Sequence, residues 1–259
     1  MFDVVIPVGP DDINIIHEQL KYTTKNVIGY RNIYLILSEP TYNLPDNVYV
    51  VLESAFPFQK TDVEILHGKW GRNGWYFQQL LKLYAGTVIP GILGQYLVID
   101  SDTFLLNPVR FVSDDMAADN STAPVCLYAT GTENHTPYFD HLKRLHPCLE
   151  KQLPQYSGIC HHMMFETVYV QELFALVETY HENQEFWRVF LEQVDTHYRG
   201  QHGPCYSSGA SEYEMYFNFM LLFHPGRIQI RPLRWKNGHT IQETDAECFD
   251  YVSCHYYMR

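Results

Sequence analysis

The sequence predicts an α/β fold, and three observations carry that expectation. The first fifty residues read strand, helix, strand, strand, which is how an α/β sheet begins. An apolar run at Tyr96-Leu97-Val98-Ile99 breaks off abruptly at Asp100-Ser101-Asp102, as a buried strand does on reaching an edge. Segments with apolar residues at helical spacing then alternate with further strand signals to the end of the chain.

The elements follow in order. Residues 3–8 (DVVIPV) form a buried strand closed by Gly9 and Pro10. Asp11-Asp12 opens an amphipathic helix to about Lys25, with Ile13, Ile15, Ile16 and Leu20 as its apolar stripe. Residues 32–37 and Val48–Leu52 are the second and third strands. Residues 71–87 carry a core helix through Tyr76, Leu80, Leu83 and Tyr84, and the Pro90-Gly91 break leads from it into the strand that ends at Asp100. Val109–Val112 and a loop rich in Asp and Ser come next, then a strand at Pro124–Tyr128 and a helix around 138–145. Residues 157–165 read as a strand interrupted by Cys160-His161-His162, whose adjacent histidines would face opposite sides. Amphipathic helices are expected at 168–180, 185–198 and, after a Gly-rich segment at 200–209, 211–223. A strand near 227–231, a polar loop and the aromatic tail 252–259 complete the chain. An internal division near 130–154 would separate a first half, about 1–130, from a second, about 131–259.

Composition narrows the function classes. With 46% apolar and 15% aromatic residues, a chain of 259 residues buries a sizeable ordered core. Eighteen basic residues against 30 acidic ones leave a net charge of −12, which argues against nucleic acid and anionic membranes as partners. A nucleotide remains compatible, because a metal can offset a diphosphate's charge locally. No run of eighteen apolar residues exists, so no membrane span is expected, and the N-terminus lacks the basic region of a secretory leader. A cytoplasmic, unsecreted protein is the expectation, with the sequons at Asn120 and Asn134 as accidents. The six cysteines, at 126, 148, 160, 205, 248 and 254, form no C-x-x-C pair and are expected to be free thiols.

The chemistry-bearing stretch is Asp100-Ser101-Asp102. Two carboxylates at the end of a buried strand are costly to leave unpaired, and the carboxyl end of an α/β strand is where ligands bind. A divalent cation held by Asp100 and Asp102, itself holding a diphosphate, satisfies both; an exposed turn with two aspartates is the plainer alternative. On the preceding helix, Lys82 either neutralises an aspartate or reaches a phosphate, or it is simply solvated; Gln78 and Gln79 share its segment. Ser211 and Glu214 match a capping box, which explains Glu214 better than it explains Glu212. Trp235 heads a Trp235-Lys236-Asn237-Gly238 loop that could close over a ligand.

In the order VVIPVGPDD, GWYFQQLLKLYA, YLVIDSDTFLLNP, HHMMFE, SEYEMYFNF and SCHYYMR, these segments together resemble a GT-A glycosyltransferase over nearly the whole chain. The set is most similar to a group from bacteria and large DNA viruses, including a virus-encoded galactosyltransferase-like domain. The resemblance implies a Rossmann-like mixed sheet flanked by helices, with a nucleotide-sugar-binding first half and an acceptor-binding second half. It implies a UDP-sugar donor, a glycan acceptor and Mn²⁺, or Mg²⁺, as cofactor, and a chain that could be one domain of a longer enzyme. Val8, Asp11 and Asp12 would border base and ribose; Gln78, Lys82, Asp100, Ser101 and Asp102 would line the nucleotide, and Asp100, Asp102 and His255 would bind metal. His162 and Trp235 would lie on the acceptor side, with Glu212, and Glu214 behind it, as general base. The tail HYYMR departs from the glycine-lysine-proline pattern of the best-known retaining family, which leaves stereochemistry and the metal role of His255 open. Two rivals use the same residues: a metal-dependent nucleotide-sugar phosphohydrolase, and a carbohydrate- or nucleotide-binding module without turnover.

Overall fold

A computed structural model describes residues 1–41, 43–116, 123–196 and 208–259. The sequon at Asn120, Cys205 and most of the Gly-rich segment lie outside the described residues. Strand β1 (Phe2–Pro7) is buried along its whole length, as its apolar run predicts. A short 3-10 turn at Pro10–Asp12 follows, and α1 (Ile16–Asn26) starts only after it. The single helix expected from Asp11 is thus two pieces. Ile13 falls between them and is 40% exposed, while Ile16 and Leu20 do turn inward.

Next come β2 (Val27–Ile28), β3 (Tyr30–Leu37), β4 (Val48–Leu52), α2 (Lys60–His67), α3 (Asn73–Val88) and β5 (Gln95–Ile99). Helix α3 is buried on almost every side from Tyr76 to Ala85, including the polar Gln79 and Lys82. A helix that apolar lies inside the protein. Gly86 lets it lie close, because a Cβ there would stand 2.6 Å from the Tyr96 ring.

The chain continues through β6 (Thr103–Leu105), β7 (Val109–Arg110), β8 (Val112–Met116), β9 (Pro124–Tyr128) and α4 (Thr136–Leu145). Then follow β10 (His162–Glu166), α5 (Thr167–Tyr180), α6 (Phe186–Glu192), α7 (Glu212–Phe223) and β11 (Ile228–Ile230). The last elements are β12 (Trp235–Asn237), α8 (Asp245–Cys248) and β13 (Tyr251–Ser253). The main sheet has the order β10-β5-β1-β3-β4. Its four strands from the first half are parallel, and β10 closes one side antiparallel, with His162 opposite Ile99. Smaller sheets join β11-β9-β8, β12-β13-β6 and β2-β7. One core cluster runs from Phe2 to Tyr251 and draws on both halves, so the chain is a single α/β domain with mixed sheets flanked by helices.

Three further expectations are corrected. The strand expected from Ser157 begins only at His162, because His161 takes a positive φ of 62° that ends strand geometry. Helix α6 stops at Glu192, well short of 198. Residues 235–237 are a strand rather than a loop, paired in parallel with β13. Cys126, Cys148, Cys160, Cys248 and Cys254 are free thiols. No helix among the described residues is long and apolar enough to cross a membrane.

Candidate functional site

From β1 the chain lays β3 and β4 on one side and returns to put β5 on the other. The order of strands therefore reverses between β1 and β5, and the carboxyl ends of strands at such a point are where ligands bind in open α/β sheets. After β1 comes Val8, buried and tied by its N–H to the Ile36 carbonyl at 2.9 Å. Asp12 follows on the 3-10 turn, while Asp11 beside it is exposed. After β5 comes Asp100-Ser101-Asp102, folded into a tight turn by the Thr103 N–H donating to the Asp100 carbonyl at 3.0 Å. The two connections meet where the Ser101 hydroxyl donates to Asp12 Oδ2 at 2.5 Å. The Arg259 guanidinium caps the other Asp12 oxygen. Burial and the nearby Asp102 carboxylate hold Asp12 above the usual aspartate range, against the pull of Ser101 and Arg259.

Asp100 belongs to a second cluster deeper in the fold. Its Oδ1 takes Lys82 Nζ at 2.6 Å and the Tyr213 hydroxyl at 2.9 Å. Lys82 Nζ is also 2.6 Å from Glu212 Oε1 and lies over the Tyr213 ring. The neighbouring turn of α3 fixes the start of α7, where the Glu212 N–H donates to Gln79 Oε1 at 2.9 Å. Burial opposes the charge on Lys82, but the carboxylates of Asp100 and Glu212 outweigh it and hold the ammonium above the usual lysine range. One ammonium cannot neutralise two carboxylates, and burial leaves the Glu212 carboxyl raised despite Lys82. Lys82 is therefore paired, not solvated.

Asp102 faces the chain's last residues. Strand β13 pairs with β6, Ser253 opposite Thr103, and their hydroxyls meet at 2.5 Å. The Cys254 N–H donates to the Asp102 carbonyl at 2.8 Å, which delivers the His255 Nδ1 to within 2.9 Å of Asp102 Oδ2. Burial alone would raise Asp102, yet His255 lowers it below the ordinary range, and Asp102 in turn raises His255 despite its own burial. The other oxygen, Asp102 Oδ1, is buried with no hydrogen-bond partner.

The histidine that joins this cluster is His161. Its ring is 5.2 Å from that of His255 and 4.9 Å from Trp235, centroid to centroid, and Trp235 stacks on Tyr251. Burial pushes the imidazole down to about 4, so it is neutral at pH 7. His162, expected on the acceptor side, is instead 2% exposed, its ring edge-on to Phe111 and Tyr251 in the core. Because His161 precedes β10 at positive φ, strand alternation does not place it; its ring packs beside Trp235, Tyr251 and His255.

The two glutamates expected as general bases are closed in. Glu212 is 3% exposed and bound to Lys82. Glu214 is 1% exposed, and its Oε2 accepts from the Gly158 N–H and the Asn218 amide. Gln78 is half-buried and donates to the Pro7 carbonyl at 3.4 Å, a position at the end of β1 rather than on the aspartates. Sequence reasoning missed Tyr213 and Arg259, and it noted Gln79 and His161 without assigning them a place in the site. Tyr213 adjoins Glu212, which it did single out, but nothing local marks Arg259.

Of the donors expected for a divalent cation, Asp102 and His255 touch, whereas Asp100 turns its Oδ1 to Lys82 and Tyr213. Among the described residues, no three His, Cys, Asp or Glu side chains form a ready-made cage. Asp102 Oδ1 and His161 Nδ1 are buried with no hydrogen-bond partner, as are His67 Nδ1, His141 Nδ1 and both ring nitrogens of His162.

The chain belongs to a family of unknown function (DUF6492), whose model matches residues 30–243. No curated protein matches it.

Proposed function

We propose that this family member is a GT-A glycosyltransferase that moves a hexose, galactose first among candidates, from a UDP-sugar to a hydroxyl of a glycan. The observation that carries the reading is the meeting of Asp12 with Asp100-Ser101-Asp102 at the point where the strand order reverses. A nucleotide lying across the ends of β1 and β5 would have Val8 and Asp12 at its base and ribose and the aspartate turn at its diphosphate.

Asp102 and His255, with Asp100 beside them, would hold Mn²⁺ or Mg²⁺, which would offset the charge that develops on the departing diphosphate. Lys82 and Tyr213 hold Asp100 in one orientation, so the turn is pre-organised before any ligand arrives. Glu212 is a positioning residue here: it holds Lys82 against Asp100. With Glu212 and Glu214 both engaged and enclosed, neither is free to take the acceptor's proton. An inverting reaction needs such a base, whereas in a retaining one the departing phosphate oxygen can accept that proton, and the reading therefore favours retention. The half-buried Trp235, backed by Tyr251, offers an aromatic face to a sugar.

Calorimetric titration of UDP and UDP-hexoses, with and without Mn²⁺, tests this on wild type and Asp102→Ala. Manganese-dependent UDP binding that the substitution abolishes supports the reading. Absence of UDP binding in both conditions, or binding indifferent to metal and substitution, overturns it.

A further inference from the structure

We propose that Arg231 binds an anionic group, a carboxylate or a phosphate, on the sugar that enters beside Trp235. The proposal deepens the reading above by giving the acceptor a charge, and it rests on that reading only in taking the entering molecule to be a sugar.

Arg231 follows directly on β11, and its N–H donates at 2.8 Å to the carbonyl of Tyr128, the last residue of β9. Its guanidinium lies over the Phe111 ring, 5.8 Å from the centroid. From Phe111 a row of packed rings leads to His162 at 5.3 Å, then to Tyr251 at 5.0 Å and to Trp235 at 5.7 Å, centroid to centroid at each step. Arg231 therefore stands at one end of that row, and the aromatic face offered to a sugar is at the other. The row lies at the functional end of the main sheet, since His162 opens β10 opposite Ile99, the residue before the aspartate turn.

The second observation is what the guanidinium lacks. Arg231 is half-buried, and its Nε and Nη2 are buried with no hydrogen-bond partner. Arg31, Arg144, Arg188, Arg227, Arg234 and Arg259 each reach a carboxylate or a carbonyl. The chain has 30 acidic residues against 18 basic ones, yet among the described residues none bonds to Arg231. Asp250 gives one oxygen to the Arg234 N–H and the other to the Arg234 guanidinium. A neutral polar atom can stay unpaired at moderate cost, but a fixed charge in that position is far costlier. Burial pulls the Arg231 pKa down, and a guanidinium still keeps its proton at any working pH. What completes a buried, forked cationic donor is an anion with two acceptor oxygens.

Ligand-observed NMR on the whole chain, without UDP or metal, measures affinity for glucuronate, glucose 6-phosphate and glucose. The three share one sugar and differ in a carboxylate, a phosphate or no charge. Hydrogen bonds to a charged group are strong enough that at least one acid should bind about tenfold or more tighter than glucose, and the acid that does so names the group. Arg231→Met keeps apolar packing on Phe111 and should abolish the preference. Arg231→Lys keeps a point charge without the fork and should retain part of it. Thermal melts separate binding from support. Removing an unpaired buried charge should leave the Tm of Arg231→Met unchanged or raised, whereas an arginine that merely packs on Phe111 would lower it. Equal binding of the three sugars, no binding of either acid, or a preference that persists in Arg231→Met overturns the proposal. None of these outcomes touches the nucleotide reading, which stands or falls on its own UDP titration.

Discussion

Lys82→Met removes the single cation between Asp100 and Glu212 while keeping much of the side chain's apolar volume. Lys82 and Glu212 side chains are each 4% exposed and their charged atoms are 2.6 Å apart, so little solvent can take over from the ammonium. Breaking a buried pair from one side costs about 3–5 kcal/mol, which in a chain of this size corresponds to roughly 6–20 °C in Tm. The loss has a pH signature. Burial already raises the Glu212 carboxyl, and Lys82 is what opposes it; without Lys82 the folded-state value climbs further above the unfolded one. A raised carboxyl stabilises the fold when protonated, so the deficit should be largest at pH 8 and shrink as pH falls toward 5. Adding Glu212→Gln should recover a large part of it at pH 8. Urea unfolding of wild type, the single variant and the double variant at both pH values measures this. A deficit under about 1 kcal/mol at pH 8, or no recovery in the double variant, would show that the triad is not the coupled unit its distances describe.

Two other outcomes are expected. In Gly158→Ala the new Cβ meets Phe217 Cβ at 2.7 Å and the Tyr213 carbonyl at 2.8 Å, both on the body of α7; overpacking of that kind costs about 1–3 kcal/mol, and an unchanged Tm would contradict it. His141 is buried with its Nε2 on the Phe190 carbonyl, and burial drives it down to about 3. It is therefore neutral in the fold but takes a proton below about pH 6.5 when unfolded. Its contribution is complete above that pH and is lost toward pH 3, at about 1.4 kcal/mol per pH unit. His141→Gln should flatten the fall in stability between pH 6 and 4, and an identical slope would count against it.

How much of this could be read from sequence depended on how local the determinants were. The strand–helix alternation, Asp100-Ser101-Asp102 and the segments carrying Lys82 and Glu212 announce themselves through periodicity and an abrupt change of polarity. His255 could be reached only through resemblance, because what brings it to Asp102 is the pairing of β13 with β6, far away in sequence. The capping box at Ser211 was half right. The Ser211 hydroxyl does accept the Glu214 N–H at 3.2 Å, but the Glu214 carboxylate turns to Gly158 instead of back to Ser211. A tertiary donor outcompeted the local one. His161 was hidden for a backbone reason: the alternation rule for neighbours in a strand lapses at a residue with positive φ. Trp235 was misread because its strand partner, Tyr251, lies across α8.

The site draws on five separate stretches, around Asp12, Asp100, His161, Glu212 and His255, and its last side rests on the pairing of residues 103–105 with 251–253. Contacts closing a loop of that length form after local ones, since chain entropy must be overcome before they yield anything. The contacts of His255 with Asp102 and of Arg259 with Asp12 therefore belong to the last part of the topology to close. What such late contacts contribute is gained after the folding barrier, so losing them should hasten unfolding more than it slows folding. A ligand held by those same groups would lengthen the lifetime of the folded chain and leave its rate of formation nearly untouched.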